Sequence, residues 1–302
     1  MLNSALELDY DIYSTSYFST SDTPPIKNQK IILKESDGES CGIFEENFDS
    51  KTILELSQDY IDEVDYIIPI SGVSPTDFKK SDRKKILGNR DVENVENKFR
   101  FYEEIKEEFL TPMTFCISDI DEAFEISRNY PNVQFILKPL QGSGGYDINL
   151  LNNDKTSELN GDDFILQEYV AGINLSSSVL SSEDESKTIV NSRLLTMNDF
   201  GNKNSFIYIG NILPLTDKSI MAEVEDINKI TSEMKTTSEN LIEKFNLIGS
   251  NGVDYILNEK GLYVIEVNPR IQGTFECVEK TFGINMLEAH INACKGEIMD
   301  VV

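Results

Sequence analysis

Glu266, Asn268 and Arg270 occupy alternate positions in the run YVIEVNPRIQGTFE, residues 263–276. Alternate residues of an extended strand share a face, so a carboxylate and an amide oxygen would project together, with a guanidinium two residues beyond. Hard oxygen donors that leave coordination positions open suit magnesium shared with nucleotide phosphates. The run therefore predicts a magnesium–phosphate site.

Strand geometry sharpens that expectation. Residues 253–257 (VDYIL) and 262–268 read as two strands joined across Asn258, Glu259, Lys260 and Gly261. A three-residue loop, 259–261, would place Gly261 at the left-handed position such hairpins favour. In that register Asp254 lies opposite Glu266, so Asp254, Glu266 and Asn268 share one face. Val253, Tyr255, Leu257, Tyr263, Ile265 and Val267 then form an apolar face. A slip by one residue would bury Asp254 unpaired, which is costly. The same residues could instead make an acidic hairpin facing solvent.

Upstream, residues 135–148 (FILKPLQGSGGYDI) read as a short apolar strand that ends at Lys138-Pro139 and opens into Gly142-Ser143-Gly144-Gly145. Glycines let several backbone N–H groups converge on anionic oxygens, and a nearby lysine adds a point charge. The loop lacks the Gly-Lys-Ser/Thr ending of a Walker A motif and does not match the dinucleotide fingerprint. Alone, such a run between strands is more often only a turn. A third run, 164–181 (FILQEYVAGINLSSSVLS), reads as a strand through Gln167-Glu168-Tyr169-Val170, a turn at Ala171-Gly172 and a second alternating strand.

Taken in order, Lys98, Lys138 with its glycine loop, QEYV, then Asp254, Glu266 and Asn268 resemble the ATP-grasp superfamily. The resemblance covers residue 95 to the C-terminus well and the first ninety residues weakly. GSNGVDYIL, EVNPRIQGT and the YIGNILPL stretch at 208–215 look most like the archaeal-type ATP-grasp proteins predicted to be ATP-dependent carboligases, the group that includes the tyramine–glutamate ligase of methanofuran synthesis. The fold this implies is α+β, two lobes clasping ATP. Carried over by position, Lys98 and Lys138 would contact ATP phosphates, and Gly142, Ser143, Gly144 and Gly145 would form a mobile lid. Gln167, Glu168, Tyr169 and Val170 would be the adenine hinge, with backbone groups of Glu168 and Val170 reading the adenine edge. Asp254, Glu266 and Asn268 would hold Mg2+, or Mn2+ in its place. Where the family usually has a carboxylate for the ribose, this chain has Asn174, and a charge-assisted bond is lost.

The chemistry implied is ATP-dependent activation of a carboxylate to an acyl phosphate, which an amine then attacks. Arg270 is the candidate to hold the carboxylate or acyl phosphate, because a guanidinium can bind it in bidentate fashion and lysine cannot. Arg193, on a strand expected at 188–196, is a second candidate. A non-catalytic nucleotide-binding or regulatory protein that kept the pocket is the rival reading.

Composition bounds the rest. With 302 residues, 39% hydrophobic and 9% aromatic, the chain has ample core for two or three packed modules. Its 53 acidic and 27 basic residues give a net charge of −26, which repels nucleic acid and anionic membrane, so ATP binding must rest on a local cationic pocket. No run of about eighteen apolar residues appears and no secretory signal is visible, so cytoplasm is the default. Cys41, Cys116, Cys277 and Cys294 form no CxxC pair. His290 is the single histidine and reads as a packing or capping residue, which argues against Ser-His-Asp hydrolysis.

Three modules are expected. Residues 1–92 form a small α/β unit that begins on a helix (3–8), as though a first strand were missing, with strands at 11–17 and 66–70 and a helix at 51–61. Residues 93–170 are a lid lobe with Lys98 on a helix and a second helix at 120–129 that Ser118 could cap. Residues 171–302 form the metal-bearing lobe, with helices at 221–245 and 285–294 and a polar hairpin tip at 182–186. The family resemblance also makes a homodimer plausible, while the substrate pair is not legible.

Overall fold

The computed structural model describes residues 1–32, 50–70, 72–142, 144, 145, 147–152, 164–202, 205–216, 218, 220 and 226–299. Cys41, Ser71, Ser143 and the expected helix start at 221 lie outside them. Helices and antiparallel sheets are segregated, as in an α+β fold.

The first region holds α1 (Leu2–Leu6), two parallel strands β1 (Tyr13–Ser16) and β2 (Asn28–Ile31), and α2 (Ser50–Glu63). The strand expected at 66–70 is a single parallel bridge between Ile67 and Ile86. Ile67 N–H donates to the Lys85 carbonyl and Leu87 N–H to the Ile67 carbonyl. Pro69 has no N–H to donate a further rung, so the ladder stops there.

After α3 (Glu93–Glu96) and α4 (Lys98–Ile105) comes a four-stranded antiparallel sheet of β3 (Thr114–Ile117), β4 (Phe135–Pro139), β5 (Asn149–Leu150) and β6 (Phe164–Glu168), in spatial order β3-β6-β4-β5. Helix α5 (Ile120–Asn129) covers it, and Ile117, Ala123, Phe135, Leu137 and Leu166 close the core between them. The cap of α5 is Asp119, not Ser118. Its carboxylate accepts from Glu122 N–H, and Glu122 reaches back to the Ser118 N–H and hydroxyl. Glu122 thus reaches one residue past the cap, so the N-terminus is held by two carboxylates without the reciprocal bond to the cap's own N–H that a capping box has.

The larger sheet is antiparallel, in spatial order β11-β10-β7-β8-β9, with β7 (Ile173–Ser181), β8 (Ser186–Thr196), β9 (Tyr208–Ile212), β10 (Gly249–Asn258) and β11 (Gly261–Asn268). Helix α6 (Ile227–Lys244), capped by Asp226, lays Met234, Ser238, Leu241 and Ile242 on one face, a helical period that seals the core side of the sheet. Helices α7 (Phe275–Phe282) and α8 (Met286–Cys294) pack with α1 in a second cluster. Sequence reading missed α7.

Asp254 pairs with Glu266, as expected from the hairpin, but the turn and register between them differ. The loop is two residues long, with Asn258 opposite Gly261, and a bulge shifts the pairing so that Tyr255 faces Val264 and Ile256 faces Tyr263. The core face is therefore Val253, Tyr255, Leu257, Leu262, Val264 and Val267. Tyr263 and Ile265 leave it. β11 is the outer strand of its sheet, and its Val264 N–H is met by the Leu110 carbonyl at 2.8 Å, a tertiary contact that hydrophobic alternation does not reveal.

Candidate active site

The paired strands bring Asp254, Glu266 and Asn268 together. Ser176 Oγ donates to Asp254 Oδ1 at 2.6 Å, and Asn268 Nδ2 donates to Oδ2 at 2.9 Å. Arg270 Nη1 donates to Asn268 Oδ1 at 2.8 Å. Burial, reinforced by the neighbouring Glu266 charge, pushes the Asp254 carboxyl up to about 7, against the pull of Ser176, Asn268 and Arg270. Asp254 and Glu266 oppose each other on a half-buried face, where two like charges favour a bound cation. Among the described residues no three Asp, Glu, His or Cys side chains converge; the donor set is two carboxylates and one amide oxygen. All three are hard oxygen donors, which fits magnesium better than a softer metal.

Lys138 lies on β4 with 5% of its surface exposed. Its Nζ donates to Gln167 Oε1 at 3.1 Å, and Gln167 Nε2 donates to Thr114 Oγ1 at 2.9 Å. Gln167 thus orients the lysine. Burial lowers the ammonium to about 8, with Glu266 and Asp254 pulling it back and Lys98 adding to the fall. Lys98 Nζ donates to the Gly142 carbonyl at 3.0 Å, which ties the second lysine to the glycine loop. The two cations and the two carboxylates therefore influence one another across a single site.

The loop itself is docked. Tyr208 N–H donates to the Gly144 carbonyl at 2.9 Å, and a Cβ on Gly145 (φ +77°) would lie 2.0 Å from the Phe206 carbonyl oxygen. Only glycine allows this approach. Gly145→Val should disfavour the docked loop by about 1–3 kcal/mol from backbone strain alone. The expected result is a fall of about fivefold or more in ATP turnover with little change in melting temperature; equal turnover would show that docking is incidental.

At the hinge, the Glu168 N–H is engaged by the Met113 carbonyl (2.8 Å) and the Tyr169 N–H by the Gln134 carbonyl (2.7 Å). Of the Glu168 backbone groups, the carbonyl is therefore the one that could meet an adenine edge. Val170 is buried and follows directly. A cleft of about 440 Å3 runs beside the hinge, lined by Glu168 to Ala171, Asn258 to Lys260 and Tyr263. It contains none of the phosphate-side residues. Tyr263, released by the bulge, is the hinge-side residue that sequence reading assigned to the core. Asn174 pairs with Ile256 and lies on the same face of β7 as Ser176, two residues on.

Arg193 is not brought to this site. It pairs across the sheet with Leu175, a core residue, and donates to Asp199 Oδ1 at 3.1 Å. Its neighbour Ser192 instead joins a polar wall. Tyr208 Oη donates to Asn211 Oδ1 (2.6 Å), Asn211 Nδ2 to Ser192 Oγ (2.9 Å) and Ser192 Oγ to the Ser176 carbonyl (3.2 Å). Burial pushes the Tyr208 phenol up to about 12, so it remains a donor. Gln272 lies over Gly252, where a Cβ would meet its amide nitrogen at 1.7 Å.

Asn89 is the other residue that sequence reading missed. It is 8% exposed; its Nδ2 donates to Asn251 Oδ1 (2.7 Å) and the Pro269 carbonyl (2.9 Å), and its Oδ1 accepts from Ile248 N–H (2.7 Å). Pro269 sits between Asn268 and Arg270, so Asn89 fixes the backbone carrying both. Asn89→Ala strands two buried acceptors, Asn251 Oδ1 and the Pro269 carbonyl, at about 1–3 kcal/mol for each left unsatisfied, while the half-buried Ile248 N–H can turn to water. Denaturant unfolding should show a loss of about 2–4 kcal/mol; a loss under about 0.5 kcal/mol, the scale of a plain surface change, would remove Asn89 from this role. His290 has the packing role expected. Its Nδ1 accepts from Ser250 N–H at 2.8 Å, its Nε2 lies 3.1 Å from the Leu87 carbonyl, and burial lowers its pKa.

Comparison with known proteins gives this geometry a family. A model of the ATP-grasp domain matches residues 95–274. An uncharacterised protein of Methanocaldococcus jannaschii is 27% identical over 302 residues, 97% of this chain and 70% of that protein. Tyramine–L-glutamate ligase of the same organism is 25% identical over 156 residues, 51% of this chain and 41% of the ligase; the chain thus matches less than half the length of that enzyme. Among solved structures, N5-carboxyaminoimidazole ribonucleotide synthetase from Thermotoga maritima superposes with a TM-score of 0.70 at 17% identity, covering 100% of this chain and 74% of that one. Biotin carboxylase from Campylobacter jejuni gives 0.68 at 14% identity, covering 91% and 62%. These likenesses show the fold. The chain belongs to the ATP-grasp family.

Proposed function

We propose that this enzyme is a ligase that uses ATP and Mg2+ to join a small-molecule carboxylate to an amine through an acyl phosphate. The observation that carries the reading is the fixed position of Arg270, whose guanidinium is hydrogen-bonded to Asn268 beside the opposed carboxylates Asp254 and Glu266. A cation held there can grip a substrate carboxylate where the γ-phosphate must arrive.

A carboxylate oxygen of the substrate attacks the γ-phosphorus of ATP and ADP leaves; the amine nitrogen then attacks the acyl carbon and phosphate departs. Arg270 orients the attacking carboxylate and later faces the acyl phosphate. Lys138 and Lys98 counter charge on the phosphate oxygens, where positioning and neutralisation supply most of the rate. Asp254, Glu266 and Asn268 would hold magnesium, which neutralises phosphate charge when bound. The docked glycine loop excludes water that would hydrolyse the acyl phosphate.

The name of the ligase relative couples an amine to a carboxylate, which supports this class of reaction. A cytoplasmic setting accords with an ATP-dependent reaction, and no helix among the described residues is long and apolar enough to cross a membrane. The test is release of phosphate from Mg·ATP across a panel of amino acids, dicarboxylates and amines. Release that requires both a carboxylate and an amine supports the proposal. Binding of Mg·ATP without any release across the panel would favour the rival, a nucleotide-binding protein that does not turn over.

A further inference from the structure

An aliphatic amine reaches such a site as an ammonium ion. With a pKa of about 10.4, only about one molecule in a thousand is neutral at physiological pH. The ammonium has no lone pair, so a group on the acceptor side must hold it and take its proton. Lys98, Lys138 and Arg270 are cations, and Asp254 and Glu266 belong to the metal set. His290 is buried, with Nδ1 occupied by Ser250 N–H and Nε2 against the Leu87 carbonyl. Among the described residues lining the space beside Arg270, Glu96 is the one carboxylate, and it lies outside the metal set.

Glu96 is the last residue of α3 and sits where the three parts of the chain meet. It lines a narrow crevice together with Arg270, Val73, Pro75, Asn89 and Pro269. The crevice, about 20 Å3, admits little more than a water-sized group. Ser74 Oγ donates to Glu96 Oε2 at 2.7 Å. Ser74 is itself held by the turn it caps, donating its N–H to Asp77 Oδ2 (2.9 Å) and accepting from Thr76 N–H (3.2 Å). One Glu96 oxygen is thus fixed and Oε1 is left to accept. No ion pair closes between Glu96 and Arg270, although the guanidinium's charge pulls on the Glu96 carboxyl. An anchored carboxylate and the guanidinium that grips the acyl group therefore line one small, largely apolar space.

We propose that Glu96 is the general base of the acceptor half-reaction, holding the incoming ammonium and taking its proton beside the acyl group at Arg270. The assignment rests on the ligase reading above. One N–H proton passes to Glu96 Oε1, and the freed nitrogen lone pair forms the C–N bond to the acyl carbon. The C–O bond to phosphate breaks with its electron pair, the departing phosphate takes the second N–H proton, and Glu96 returns its own to solvent. The surroundings suit the task. Burial raises the carboxyl, Ser74, Arg270 and Lys98 pull it down and Asp77 raises it, for a net shift upward. A raised carboxyl is a better proton acceptor than an ordinary one.

The test is Glu96→Gln, which keeps the volume and an acceptor for Ser74. Hydroxylamine, already neutral near neutral pH, captures an acyl phosphate as a hydroxamate without needing a base. Wild type and variant are compared over the same carboxylate panel with hydroxylamine and with alkyl amines. Amide formation by the variant should fall by about 100-fold or more and recover as pH rises toward the amine's own pKa, while hydroxamate formation falls by less than about fivefold, well short of the loss of a general base. Equal losses with both nucleophiles, or no loss with amines, would overturn the role of Glu96. If wild type makes no hydroxamate from any carboxylate, the ligase reading fails and the assignment falls with it.

Discussion

Glu266→Gln is expected to abolish most magnesium-dependent ATP turnover while leaving the fold intact. Asp254 spends both oxygens on Ser176 and Asn268, and Asn268 Oδ1 is held by Arg270. The Glu266 carboxylate has no such partner among the described residues, so it is the donor most available to a metal. Loss of an outer-shell partner alone typically costs about 10–100-fold in metal affinity or activity; a direct ligand should cost more than about 100-fold in turnover. The variant also removes the like charge facing Asp254, the second cause of its raised pKa. Asp254 should then ionise at lower pH, and thermal stability should hold or rise. Turnover is measured as ADP release against magnesium concentration, with the melting temperature alongside. Unchanged turnover at limiting magnesium would exclude Glu266 as a ligand; a collapsed melting temperature would show a structural role instead.

The opposition of Asp254 and Glu266 was legible because alternation fixes which side chains share a face, and burying Asp254 among apolar residues would be costly. The bulge beyond that pair was not. It shortens the loop to two residues and moves Tyr263 to the hinge side, and the Leu110 carbonyl that meets Val264 lies 154 positions away in sequence. Lys138 was legible as a cation before a glycine loop, whereas its buried link through Gln167 to Thr114 joins three strands that no local pattern connects.

Asn89 and Glu96 show the limit more sharply. Neither belongs to a periodic apolar pattern or a recognised motif, and polar residues outside such patterns read as solvated surface. Their roles come from partners distant in sequence: Asn89 reaches Asn251 and Pro269, and Glu96 reaches Ser74 and shares a crevice with Arg270. Arg193 illustrates the opposite error. Its strand was read correctly, but pairing with Leu175 turns it to the core side, and only the sheet order settles which face that is.

Lys138→Met should weaken Mg·ATP binding and remove most of its alkaline pH dependence. A hydrogen bond to a charged group contributes about 1.5–3 kcal/mol, so losing the ammonium from the phosphate end corresponds to roughly a 10- to 150-fold rise in Kd. In the free protein burial lowers this lysine to about 8, below its unfolded value. Below about 8 both folded and unfolded chains carry the proton, and the cost of burying the charge is present in full. As pH rises from about 8 toward the unfolded value near 10.4, the unfolded chain binds more protons than the folded one, so this group's contribution to stability improves. ATP works in the opposite direction, because its phosphates favour the protonated lysine. Wild-type affinity for Mg·ATP should therefore fall as pH rises through about 8, even as Lys138 contributes less strain to the free fold. Methionine keeps most of the volume without a charge to desolvate, so the variant should melt at the same or a higher temperature at neutral pH. Calorimetric titration of Mg·ATP across this pH range checks both effects, and a wild-type affinity that does not change through the range would place Lys138 away from the phosphates.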